Sequence, residues 1–102
     1  MTSRRFDKGH RDDNEPLITE VLRRYGVPYR KGSDADGYDL LVMTSPMRLV
    51  EIKNPSQPPS KRGLTDVELV TKEWCDLNNI PYDVVETPEE MVKILSESWI
   101  KS

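Results

Sequence analysis

The chain has 102 residues, enough for one domain with a modest core and too short for a second domain beside it. A single cysteine, Cys75, and a single histidine, His10, exclude an internal disulfide and a His/Cys zinc centre, so any metal must be held by oxygen. No stretch has the apolar length of a membrane span, and the opening residues lack the apolar centre of a secretory signal, so a soluble, cytoplasmic protein with no membrane partner is expected.

The net charge of −3 argues at first sight against a nucleic-acid partner. The average conceals an asymmetry, because residues 1–63 carry 12 Lys/Arg against 9 Asp/Glu while residues 64–102 carry 3 against 9. A basic first half keeps nucleic acid in play, although uneven charge is also common on solvated surfaces.

Residues 1–13 are polar and charged and read as a flexible arm before a single domain over 14–102. Leu17, Ile18, Val21, Leu22 and Tyr25 then recur at helical spacing, with Asn14 and Pro16 suited to the start and Gly26 to the end, which predicts a helix over about 15–25. A short strand is expected over Val27 to Lys31, and Gly32 to Gly37 is a run of turn formers. Tyr38–Met43 and Met47–Lys53 are β-rich arms of a hairpin joined through Thr44 to Pro46. Asn54 to Gly63, with three prolines and two serines, is an extended loop holding Lys61 and Arg62.

Thr65 and Glu68 make a capping box, and Val67, Val70, Trp74 and Leu77 mark one face of the helix that follows. Trp74, and Trp99 further on, therefore read as core or dimer contacts rather than base-stacking platforms. Ile80, Tyr82 and Val84 alternate as a strand does; Thr87, Pro88 and Glu90 start a last helix whose buried stripe is Met91, Ile94, Leu95 and Trp99. The order α-β-β-β-α-β-α predicts an α/β fold with a mixed sheet flanked by helices, since a hairpin is followed by a helical crossover.

If the hairpin turns through Thr44 to Pro46, facing residues have numbers that sum to 90, which sets Asp39 opposite Glu51 and puts Lys53 on the face of Glu51. Two facing carboxylates destabilise a sheet unless a cation or a shared proton relieves them. A hard divalent ion held by one or two carboxylates plus water would do so, and it could polarise a phosphate and acidify a bound water while Lys53 steadied the developing charge. A half-exposed ion-pair cluster has the same spacing, and spacing alone does not choose between the two.

Asn14-Glu15-Pro16, Gly37-Tyr38-Asp39-Leu40-Leu41-Val42, Leu49-Val50-Glu51-Ile52-Lys53 and Leu64-Thr65 occur in that order. By these motifs, over roughly residues 12–95, the chain resembles stand-alone VRR-NUC-like domains of the PD-(D/E)xK nuclease superfamily, related to Holliday-junction resolvases. The resemblance implies a restriction-endonuclease-like α-β-β-β-α-β core with an extra C-terminal helix, and magnesium or manganese as cofactor. Asp39, Glu51 and the carbonyl of Ile52 would be metal ligands, Lys53 the catalytic lysine, and Glu15 an acidic residue near the metal. It further implies a homodimer that cuts DNA, branched DNA in particular. Glu15 also suits a helix N-terminus for dipole reasons alone.

Two positions depart from the pattern: Tyr38 stands where a proline is common before the first aspartate, and Glu68 where a glutamine is common. For Glu68 the capping role is the expected one. Arg30, Lys31, Lys61 and Arg62 flank the site and are candidate phosphate contacts as a set, as are Arg4, Arg5, Lys8 and Arg11 in the arm. The rival reading is an inactive module that keeps the fold and binds nucleic acid or a protein.

Overall fold

The structure, a computed structural model, describes residues 14–58 and 63–101, the last four of these as backbone only. The expectations for the arm, for Lys61 and Arg62 and for the Trp99 side chain therefore lie outside the described residues.

The chain runs α1 (Glu15–Arg24), β1 (Tyr29–Lys31), a 3-10 turn (Asp34–Asp36), β2 (Leu40–Val42), β3 (Arg48–Ile52), α2 (Asp66–Leu77), β4 (Tyr82–Val85) and α3 (Pro88–Lys101). The strands form one mixed sheet in the order β1-β2-β3-β4, in which β3 and β4 are parallel and the other neighbours antiparallel. This is the expected α/β architecture. Leu40 faces Val50, Leu41 faces Leu49 and Val42 faces Arg48, the register expected from the turn. Each strand is shorter than its β-rich run, because pairing stops where the backbone leaves its neighbour.

One face of the sheet is the core. Leu40, Val42, Val50, Ile52 and Val85 meet Ile18, Val21 and Leu22 of α1 and Met91, Ile94 and Leu95 of α3. Removing a fully buried side chain such as Leu95 from such a cluster costs about 2–5 kcal/mol. In β4 the residues counted by alternation, Tyr82 and Val84, lie on the opposite face. Val84 is exposed, and Val85 fills the core instead, since the parallel register pairs it with Ile52. Leu17, one of the apolar residues at helical spacing in α1, is also exposed.

The second face carries α2. Thr65 and Glu68 form the expected capping box at its start. Gly37, at φ +80°, ends the 3-10 turn hard against this helix, where a Cβ would lie 2.1 Å from Thr71 Oγ1. Only glycine fits that conformation and that space. The helix turns Glu68 and Cys75 inward and leaves Val67, Val70, Trp74 and Leu77 outward, so of the two readings of Trp74, core or dimer contact, the core one is corrected. Among the described residues no helix is long and apolar enough to cross a membrane.

Candidate active site

Asp39 precedes β2 by one residue. Its amide donates to Val50 O at 2.9 Å, and its carboxylate Oδ2 accepts from Ile52 N–H at 2.7 Å, standing in for the strand partner that β3 lacks beyond Leu40. Asp39 therefore closes the end of the ladder and is oriented by the backbone of the residue between Glu51 and Lys53. A strand residue turns its N–H and C=O to the same edge, so the Ile52 carbonyl faces the Asp39 side as well.

Glu51 and Lys53 share the α2 face of β3, as alternation requires. Lys53 Nζ lies 3.4 Å from Glu51 Oε2 and 3.0 Å from Glu68 Oε1. All three side chains are close to dry, with 12% of Lys53, 3% of Glu51 and 12% of Glu68 exposed. One ammonium thus serves two buried carboxyl groups.

The imbalance appears in the acidities. Burial, a hydrogen bond with Glu68 and the negative charges of Asp39 and Glu68 push the Glu51 carboxyl up to about 9, against the opposing pull of Lys53. Burial also pushes Glu68 upward, but its hydrogen bonds with Glu51, the Thr65 backbone and Lys53 outweigh this and hold it below the usual carboxylate range. The pair therefore shares one proton, carried by Glu51 and donated to Glu68. Close by, burial and then the charges of Glu51, Glu68 and Asp39 push the Tyr82 phenol well above its ordinary value, and its hydroxyl donates to Gly37 O at 2.7 Å.

Glu68 is thus both cap and site residue: Oε1 accepts from Thr65 N–H at 2.9 Å and from Lys53 Nζ. Sequence reasoning weighed these roles as alternatives, whereas one oxygen performs both. Tyr82 was missed as a site residue; the parallel register, which pairs Glu51 with Val84, was the signal that would have put it on this face.

Glu15 is engaged by a basic residue. Its carboxylate pairs with Lys31 Nζ at 3.3 Å and lines an open cleft of about 280 Å³ with Pro16, Thr19, Arg23, Tyr29 and Lys31. None of Asp39, Glu51, Lys53 or Glu68 lines that cleft. The start of α1 is nonetheless tied to the site, because Asn14 Nδ2 donates to Lys53 O and to Glu86 O, each at 2.9 Å. Asn14 stands at the N-cap position but makes no capping hydrogen bond, so its side chain is a tether rather than the helix cap its position suggested. Arg30 and Lys31 are exposed on the edge strand β1, and Lys31 is joined to the site through Gly32, whose amide donates to Asp39 O at 2.8 Å.

The donors suit a hard cation in kind: they are oxygens, and Glu51 is held protonated by crowding that a cation would relieve. Among the described residues no three carboxylate, histidine or cysteine groups form a metal-binding group. A metal here would be held by one or two carboxylates with water, the common arrangement for magnesium. No protein-family model matches the chain, and neither does any curated protein or solved structure.

Proposed function

We propose that the chain is a metal-dependent endonuclease of the PD-(D/E)xK type that its motifs resemble, hydrolysing phosphodiester bonds in DNA. The observation that carries the reading is the oriented Asp39 carboxylate at the open end of a hairpin whose other arm presents a crowded, protonated Glu51 and a dry Lys53. A simple ion-pair cluster accounts for this poorly, since burying two carboxyl groups against one ammonium costs more than it returns unless the arrangement serves another purpose.

Asp39 and Glu51, with the Ile52 carbonyl, would hold magnesium or manganese. When bound, the ion supplies Lewis acidity toward a phosphate oxygen and a water of lowered pKa. Asp39 is fixed for this by Ile52 N–H. Glu51 would give up its proton to solvent on becoming a ligand, and its negative charge would then be shared between the cation and Lys53. Lys53 still has a donor to spare for the attacking water or the phosphate, while Glu68 keeps its ammonium in place.

End-labelled four-way junction, flap, duplex and single-stranded DNA, with an RNA of the same sequence, incubated with magnesium or manganese, test the reading. Wild type is expected to cut, and Asp39→Ala, Lys53→Ala and EDTA each to abolish cutting. Preference for the junction with paired symmetric nicks is the expected signature of the finer proposal, branch-specific cleavage by a two-fold dimer. No cutting by well-folded protein at high concentration, with binding unchanged in both variants, would sink the catalytic reading and leave a binding module.

A further inference from the structure

The outer face of α2 is the most exposed apolar feature among the described residues. Val67, Val70, Trp74 and Leu77 are 46%, 52%, 62% and 75% exposed and follow one another at intervals of three, four and three residues. Isolated exposed leucines and valines are ordinary, but a tryptophan and a leucine this bare in one aligned row are not. The interval is that of a narrow seam along which a second helix packs, and the row extends about 15 Å, or three turns.

Acidic residues lie on both sides of this row. Asp66 and Glu73 flank it on the solvent side. On the other, Thr71 Oγ1 donates to Asp36 O at 3.1 Å, bringing the turn that carries Asp34 and Asp36 against the helix. The one cation on α2, Lys72, is paired with Asp76 at 3.0 Å. We infer that this face docks an amphipathic helix of a partner protein, with apolar residues at matching intervals and Lys or Arg on both flanks. A second copy of the chain fits less well: set antiparallel, with Val70 against Trp74 of the copy, it brings Glu73 close to Glu73 of the copy and adds acidic half to acidic half. Residues 1–13 and 59–62 lack the apolar spacing such a helix needs, since the first have only Met1 and Phe6 as large apolar side chains and the second are Pro-Ser-Lys-Arg.

The inference is independent of the nuclease reading, and its test uses no cleavage. Three labelled synthetic peptides are titrated with the full chain: one with leucines at three-four intervals and lysines on both flanks, a shuffled isomer of it, and the same spacing with glutamates for lysines. The lysine peptide is expected to bind, more weakly as salt rises, with a loss of about tenfold or more for Trp74→Ala with Leu77→Ser and for Glu73→Lys. These positions are exposed, so the variants fold. Equal binding of the shuffled isomer would reduce the effect to charge, and equal binding of the glutamate peptide would reduce it to apolar contact; either overturns the inference. So would an absence of binding, or a wild-type dimer in sedimentation that Trp74→Ala dissociates, which would assign the face to a second copy.

Discussion

Glu51 enters a dry site beside two other carboxylates with one ammonium to share, and it resolves the conflict by keeping a proton to about pH 9. The ordinary glutamate value is 4.5. Between these two pH values the folded chain holds a proton that the unfolded chain has lost, so stability falls as pH rises across that window and is fully present only below it. The slope contributed by one such group is at most about 1.4 kcal/mol per pH unit. Glu68, held below the usual range, acts in the opposite sense and at lower pH, so the interval above 4.5 belongs to Glu51. Urea denaturation in EDTA at pH 5, 7 and 8.5 is expected to show declining stability, and Glu51→Gln, which keeps a donor toward Glu68 without a titrating proton, to flatten the decline while abolishing cleavage. Millimolar magnesium is expected to flatten the wild-type curve as well, by favouring the ionised carboxylate. A wild-type curve in EDTA that rises from pH 5 to 8.5 would contradict the assignment of the proton to Glu51.

The elements meet at Asn14. Its amide joins the start of α1 to the carbonyls of Lys53 and Glu86, at the ends of the parallel strands β3 and β4, so three elements share one side chain. Were Asn14 an ordinary helix cap, serine would replace it with little loss. As a tether it has no such substitute, and Asn14→Ser is expected to cost as much as Asn14→Ala, about 1–3 kcal/mol, with two part-buried carbonyls losing this donor. Equal stability of wild type and Asn14→Ser in urea would restore the capping role. The position shows where sequence reading stops: the hairpin register of Leu40–Val42 on Arg48–Val50 followed from a turn and a count, because both are local, whereas beyond it the Asp39 amide bonds to Val50 O and its carboxylate to Ile52 N–H. The tether spans 39 and 72 residues, the inward turn of Glu68 depends on how α2 lies on the sheet, and the buried parity of β4 is set by pairing with β3. Hydrophobic spacing located the stripe of α2 correctly but carries no sign for inside or outside, and here the stripe faces out.

At the scale of the molecule, charge is distributed unevenly along the chain. Arg30 and Lys31 lie on the β1 edge, one step from Asp39 through Gly32, and Lys61 and Arg62 follow Lys53 in the chain by eight and nine residues. The acidic helices α2 and α3 come after, so on the proposed reading a phosphate backbone would meet Arg30 and Lys31 on the β1 side, with Lys61 and Arg62 as the further candidates in sequence. If these four meet phosphates of duplex DNA, log Kobs should fall against log salt with a slope of about −3 to −4, and Lys31→Ala should lower that slope by about 1. Asp39→Ala protein, which is expected to bind without cutting, is the form to measure. Glu15 sharpens the test, because its carboxylate occupies Lys31 at 3.3 Å and a phosphate must displace it. Glu15→Gln in the same background is expected to tighten binding, since it releases Lys31 and removes a negative charge from the path of the strand. In otherwise wild-type protein, the same substitution weakens cleavage if Glu15 also serves near the metal and strengthens it at low substrate if its whole role is to hold Lys31. A flat salt dependence that Arg30→Ala and Lys31→Ala leave unmoved would instead mean that nucleic acid does not pass along this edge.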